Sequence, residues 1–430
     1  MSNVGAVLSA VSVLAMLAVH MRFAGRSSSS PAKLHEAILA GDADRVRALI
    51  EWRRPDNMED LVMEATRLGQ VRVVAVLFGY VKNGSLATLA AQTASSMGHT
   101  RLLPILARHR ANLADQCLHE AARTGQTLSI NKLIALDVPV DALTITGESA
   151  LHVAVREGQR DAVRLLLRHG ADCTRKTAGP YRRSALHLAA LHGRTDMIDG
   201  LVEHGAIVND VDRRQCTALH LAAREGHLDT FNALVANGAD LSLRTVRGKT
   251  ALHLAAANGR LDVVERVLEL AKDDVDVRDW TGQTALGTAA SGGHVDVVRR
   301  LIKKGADPVD GLCAAAKANQ LAVMQFLLVY VDVDALDVTG QSALDYATER
   351  GHVEAVRLLI SQGAQVNNVA SLSGRTPLHI AAAEGHVGLV QALLNASARY
   401  DVRDNNGHTP IDCAQRQGRH EVVNLIMTFH

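Results

Sequence analysis

From residue 32 onward, apolar and polar positions recur with a period close to 33 residues. Ser149-Ala-Leu-His-Val-Ala, Ser184-Ala-Leu-His-Leu-Ala, Thr217-Ala-Leu-His-Leu-Ala, Thr250-Ala-Leu-His-Leu-Ala and Thr376-Pro-Leu-His-Ile-Ala are near copies, and weaker copies begin at Thr284, Ser342 and Thr409. In each, apolar residues spaced as Leu219 and Ala222 are predict a short helix. The opening Ser or Thr is placed to satisfy an unpaired amide of its first turn. A glycine such as Gly226 should stop that helix in a left-handed cap, and Asn319 at the equivalent place fits, since asparagine tolerates the same conformation. A second amphipathic helix follows, as in Leu261, Val263, Val264, Val267 and Leu268, and ends in turns such as Asn237-Gly238-Ala239-Asp240.

Aligning on the cap glycine or asparagine extends the register to Ala32, Asp60, Leu89, Gln116 and Asp310, which makes thirteen units. A helix pair of this size cannot bury its apolar faces alone, so the units must stack into an all-α solenoid. The pattern resembles the ankyrin repeat family, whose signature T-P-L-H-x-A stands unaltered at Thr376 to Ala381, and the resemblance covers residues 32–430. It implies paired antiparallel helices with hairpin fingers projecting to one side, and protein binding through finger tips and a concave groove without catalysis. The short units starting at Ala32, Asp60 and Leu89 should lack fingers. The unit starting at Thr284 runs into Asp310 with Pro308 in its shortened link, so the ledge of fingers should break there.

The first residues differ. Val4 to Val19 carry no charge. At 1.5 Å per residue this run is about 24 Å long, short of the roughly 30 Å of hydrocarbon unless Met21, Phe23 and a snorkelling Arg22 extend it. Residues 4–23 are therefore a candidate transmembrane helix, alongside a cleaved segment or an apolar tail. With Arg22, Arg26 and Lys33 downstream, a membrane helix would leave the repeats in the cytosol. The organisation expected is a hydrophobic segment at 1–25, a Ser-rich linker at 26–31, irregular repeats at 32–115, regular repeats at 116–309, and repeats ending in a capping unit at 310–430.

Composition narrows the function. The 430 residues are 47% apolar and 3% aromatic with net charge +1, which excludes disorder throughout and a wholly basic coat protein. Five isolated cysteines, Cys117, Cys173, Cys216, Cys313 and Cys413, set up no metal or redox pair and read as reduced thiols. His35, His119, His152, His187, His220, His253 and His379 recur at one motif position, which reads as one structural hydrogen bond repeated. His99, His227, His294, His352 and His386 follow the cap glycine and read as surface or loop-bonding residues. With no nucleophile, phosphate-loop or metalloprotease motif, neither catalytic nor metal residues nor a cofactor are expected. Asn209 and Asn367 sit where the resemblance places a hydroxylation target in some members, although a turn-forming asparagine is the favoured reading.

The informative asymmetry lies in the loops, where folding does not dictate residue type. Arg175, Lys176, Tyr181, Arg182 and Arg183 share one loop; Arg213 and Arg214 the next; Arg244, Arg247 and Lys249 the third; Arg278 and Trp280 the fourth. Stacked side by side, these residues should form one basic strip with two aromatic anchors, suited to a protein with an acidic surface. Against this stands a plain rim whose arginines pair with finger aspartates. Net charge +1 with interleaved acids disfavours nucleic acid, and no small-molecule substrate is implied. The expectation is a non-enzymatic scaffold or adaptor, membrane-associated through residues 4–23; the alternative is a targeting or inhibitory subunit of an enzyme or transport complex.

Overall fold

The computed structural model describes residues 30–81, 84–107, 113–270, 275–369 and 373–429. These contain twenty-six helices, with isolated bridges at Leu143–Ser149 and Leu336–Ser342. The chain divides between Gly179 and Pro180 into two compact units. In the first, five helix pairs run from Ser30–Ala40 (α1) to Arg160–Arg168 (α10); in the second, eight run from Ala185–Leu191 (α11) to His420–Thr428 (α26). Within each unit, first helices pack on first helices and second on second, so every pair covers the apolar face of its neighbour. The predicted span at residues 4–23 lies outside the described residues. No helix among those described is long and apolar enough to cross a membrane.

The start of each regular pair is held by its histidine. Thr217 is extended at φ −82°, and its backbone N–H donates to His220 Nδ1 at 3.2 Å while its hydroxyl lies 2.9 Å from the same nitrogen. An accepting Nδ1 places the ring proton on Nε2. In the other regular repeats that nitrogen donates to a carbonyl at the base of the following loop, His152 to Arg175 (3.0 Å), His187 to Cys216 (3.0 Å), His253 to Gln283 (3.1 Å) and His379 to His408 (3.0 Å), whereas the buried His220 Nε2 makes no such bond. Cys313 stands at the same position and its thiol reaches the carbonyl of Gln341 at 3.8 Å. Asp345 and Asp412 reproduce the cap alone, accepting from Ser342 N–H at 2.9 Å and Thr409 N–H at 2.8 Å.

Two of the seven motif histidines lack the cap half of this arrangement, although His119 Nε2 still reaches the carbonyl before the next cap, that of Glu148, at 3.1 Å. His35 Nδ1 pairs with Glu64 at 2.9 Å, and His119 lies against the carbonyls of Asp115 and Glu148. Their units open with Ala32 and Gln116 in place of Ser or Thr, so no hydroxyl cap shapes the first turn.

The left-handed caps are present, at φ 84° for Gly226 and 56° for Asn319. The histidines after them correct the reading of these residues as surface or loop-bonding. His99, His227, His294 and His352 donate from Nε2 to Arg67, Leu191, Ala257 and Lys317, the last residue of the first helix in the preceding pair, at 2.8 to 3.3 Å. Gln126 and Gln320 do the same with their amides. A helix leaves its last carbonyls without intrahelical partners, and these side chains satisfy them from the next unit. The ring lies so close that a Cβ on Gly193 would meet His227 at 2.8 Å. All five cysteines are free and buried.

Burial pushes the imidazole of His220 down to about 4, and lowers those of His253 and His379 too. The unfolded chain, with histidines near 6.5, then binds more protons than the folded one between that pH and about 4. Stability should be fully present above pH 6.5 and fall as pH drops through this window. Urea midpoints measured from pH 7 to 4 check this; a flat profile would contradict the buried neutral rings.

Candidate functional site

In the second unit the loops between helix pairs are built by an aspartate, or in one finger Thr245, at the base of the turn. Asp212 Oδ1 accepts from the backbone N–H of Arg214 (2.7 Å) and Cys216 (2.9 Å), and Asp279 Oδ1 from Thr281 (2.8 Å) and Gln283 (3.1 Å). Short acidic side chains favour such turns because they bond their own backbone. The turn then reverses through a left-handed residue, Gln215 (φ 55°), Gly248 (75°) or Gly282 (81°). Adjacent fingers are joined by backbone bonds, from Arg213 N to Tyr181 O (2.8 Å), Val246 N to Arg214 O (2.9 Å) and Trp280 N to Arg247 O (3.0 Å). Four fingers thus form one ledge.

The ledge gathers ten of the twelve residues singled out in the sequence: Tyr181, Arg182, Arg183, Arg213, Arg214, Arg244, Arg247, Lys249, Arg278 and Trp280. Arg175 and Lys176 belong to the first unit, with Arg175 4.0 Å from Asp172. Three ledge cations correct the expectation of a uniform strip, because they turn inward. Arg183 lies 3.6 Å from Asp212, Lys249 3.9 Å from Asp279, and Arg278 pairs with Asp310. Arg375 and Asp404 repeat the arrangement at 3.4 Å. Burial works against ionisation of Asp279, yet bonds from Thr281 and Gln283 and the charge of Lys249 hold its carboxyl below the usual range. These pairs are parts of the fold, as the plain-rim reading supposed.

The outward face is different. Arg182, Arg213, Arg214 and Arg247 are exposed and make no ion pair with any described residue. The Tyr181 ring lies under Arg183 (4.5 Å) and Arg214 (4.7 Å), and Arg244 stacks over Trp280 (5.2 Å) while donating to the carbonyl of Arg278 (3.0 Å). Trp280 is 68% exposed. Cation and ring hold each other's orientation at a cost in side-chain freedom already met before any partner arrives.

A further set of residues ties the finger bases together. Asn209 donates to Gly238 O (3.3 Å) and accepts from Asp240 N–H (2.9 Å), and Asn367 bonds Ser397 O and Arg399 N–H in the same way. Asp141, Asp276 and Asp334 accept from the equivalent N–H of Asp172, Asp307 and Gln365. Where a turn-forming role was expected for the two asparagines, their side chains bond the backbone of the next repeat. The recurrence of Asp or Asn at that offset was the available signal for the wider set.

Ankyrin-repeat family models match residues 88–177, 175–245 and 233–311, and again 312–360, 344–394 and 378–426. Cyclin-dependent kinase inhibitor 2A of Monodelphis domestica is 34% identical over 110 residues, 26% of this chain and 64% of that protein. The putative E3 ubiquitin-protein ligase XBAT31 of Arabidopsis thaliana is 31% identical over 129 residues, 27% of this chain and 28% of that protein. The NF-kappa-B inhibitor cactus of Drosophila yakuba is 33% identical over 81 residues, 18% of this chain and 17% of that protein. The chain thus spans less than two thirds of the length of each.

Gly248 and Gly238 separate backbone strain from packing on the ledge. Both have positive φ, 75° and 86°, but a Cβ on Gly248 would meet the Trp280 ring at 2.5 Å and one on Gly238 would meet nothing within 4 Å. Gly238→Ala should cost about 1–2 kcal/mol from the left-handed conformation alone, and Gly248→Ala more. Equal losses in urea unfolding would show that Trp280 does not pack on the neighbouring finger.

Proposed function

The chain belongs to the ankyrin repeat family, whose stacked repeats are protein-binding scaffolds rather than catalytic units, and on that premise we propose that the ledge of the second unit is its docking surface for a protein with an acidic face. The observation that carries this reading is the division of charge. Folding uses Arg183, Lys249 and Arg278 in pairs with Asp212, Asp279 and Asp310 and leaves Arg182, Arg213, Arg214 and Arg247 outward beside two prearranged aromatic rings. Arginine and aromatic side chains are favoured at interface centres because they combine area with directional bonding. The chain acts as a scaffold or adaptor, and any chemistry belongs to what it holds.

Crosslinking capture with the full chain tests this. Reversing Arg182, Arg213 and Arg247 to Glu should remove the captured partners, while replacement by Lys should retain them in a salt-sensitive form. Arg183 is left out because its loss would strand buried Asp212 and report on folding. An unchanged set of partners after reversal rejects the ledge as the docking surface.

A second reading, in which the ledge holds a partner inactive, draws on two relatives named as inhibitors. Co-purification with an activity that rises when Arg182, Arg213 and Arg247 are reversed would favour it. Membrane attachment through residues 4–23, with the repeats on the cytosolic side, is a further part of the proposal and rests on their hydropathy. Alkaline extraction should leave the full chain in the membrane pellet and a chain lacking residues 1–25 in solution; release of both would remove the anchor from the proposal.

A further inference from the structure

One finger of the second unit is missing, and its place is a lined notch. After Val295–Lys303 (α18) the chain passes through Ala306 and Asp307 directly into Pro308–Lys317 (α19), with Asp307 capping that helix through Val309 N–H at 3.0 Å. The finger before the gap ends its turn at Thr281 and the one after it opens at Val338. In the intact ledge, the residue equivalent to Thr281 offers its carbonyl to the next finger, as Arg214 and Arg247 do, and the residue equivalent to Val338 donates its N–H to the preceding one, as Val246 and Trp280 do. Thr281 and Val338 are exposed, and neither group makes a backbone bond to a described residue. Gly287 stands at the motif histidine position of the unit before the gap, where no following finger offers a carbonyl for an imidazole.

A cavity of about 320 Å³ joins the two finger tips and is lined also by Arg278, Asp310, Cys313, Lys317, Asp337 and Tyr346. Most of its charge is internally matched. Arg278 pairs with Asp310 and donates to Gly282 O at 2.7 Å, and Asp337 accepts from Thr339 N–H, the Thr339 hydroxyl and the Tyr346 hydroxyl at 2.6 to 2.8 Å. The exposed Lys317 ammonium sits 5.1 Å from the centre of the Tyr346 ring and has no carboxylate partner among the described residues.

We infer that the notch binds an extended segment of a partner protein that takes the place of the missing finger. Its backbone N–H donates to Thr281 O, its carbonyl accepts from Val338 N–H, and an Asp or Glu side chain pairs with Lys317. Main-chain bonding supplies affinity and the single unmatched cation supplies selectivity, as in other additions of an extended peptide to an open backbone edge. The notch adjoins the end of the basic ledge and shares Arg278 with it, but uses none of Arg182, Arg213 and Arg247.

A phage library of random linear peptides panned on the full chain, with affinities of the enriched peptides measured by fluorescence anisotropy, tests the inference. Val338→Pro removes the donor at a position that suits proline, because the Gly340 N to Asp337 O bond (2.9 Å) makes Val338 the second residue of a β-turn. Enriched peptides should carry an acidic residue and weaken about tenfold on both Val338→Pro and Lys317→Glu. They should bind Val338→Ala and the Arg182, Arg213 and Arg247 reversal as they bind the wild type, and all four variants should keep the wild-type thermal midpoint. Failure to enrich any peptide, retention of affinity in either of the first two variants, or loss in either of the last two overturns it.

Discussion

The buried imidazole that uses both of its nitrogens is the constraint on which the regular repeats depend. Nδ1 closes the cap of its own helix and Nε2 binds the carbonyl at the base of the next finger, so one side chain sets both where a helix starts and where its neighbour's loop must lie. A buried ring with either nitrogen unmatched would bear the desolvation penalty of an unsatisfied polar group. The exceptions follow the same logic. Cys313 keeps the reach to the following finger through a weaker thiol, Gly287 drops the ring where no finger follows, and Asp345 and Asp412, which have one acidic group in place of two ring nitrogens, retain only the cap.

Two other staples work in parallel with the imidazole. Side chains after the left-handed cap close the orphan carbonyls of the preceding helix, and Asp or Asn at the finger base binds the next unit's backbone. Each crosses one unit boundary and no more. Cooperativity in such a stack is therefore carried by nearest neighbours, and a position such as the Gly179–Pro180 insertion, where the spacing of repeats widens, is a natural place for the chain to divide.

The same geometry sorts the basic residues by role. A cation just before a cap lies beside the aspartate of the following finger, and its charge is spent in the fold. A cation at a finger tip has no acid in reach, because the aspartates sit at the bases. Whether an arginine is structural or available to a partner is thus decided by its place in the turn, and equal residue types in one loop, Arg182 and Arg183, have opposite fates.

Periodicity by itself determined the helix pairs, the Ser/Thr caps, the left-handed glycines and Asn319, and the absent finger before Asp310, because each follows from spacing and from the conformational limits of single residue types. The histidines after the cap glycine, the division at Gly179–Pro180 and the sorting of Arg183, Lys249 and Arg278 from their outward neighbours were decided only by the tertiary structure. Their partners lie about one repeat away in the chain, and a bond across a unit boundary depends on how neighbouring pairs stack, which no local pattern of apolar and polar positions encodes.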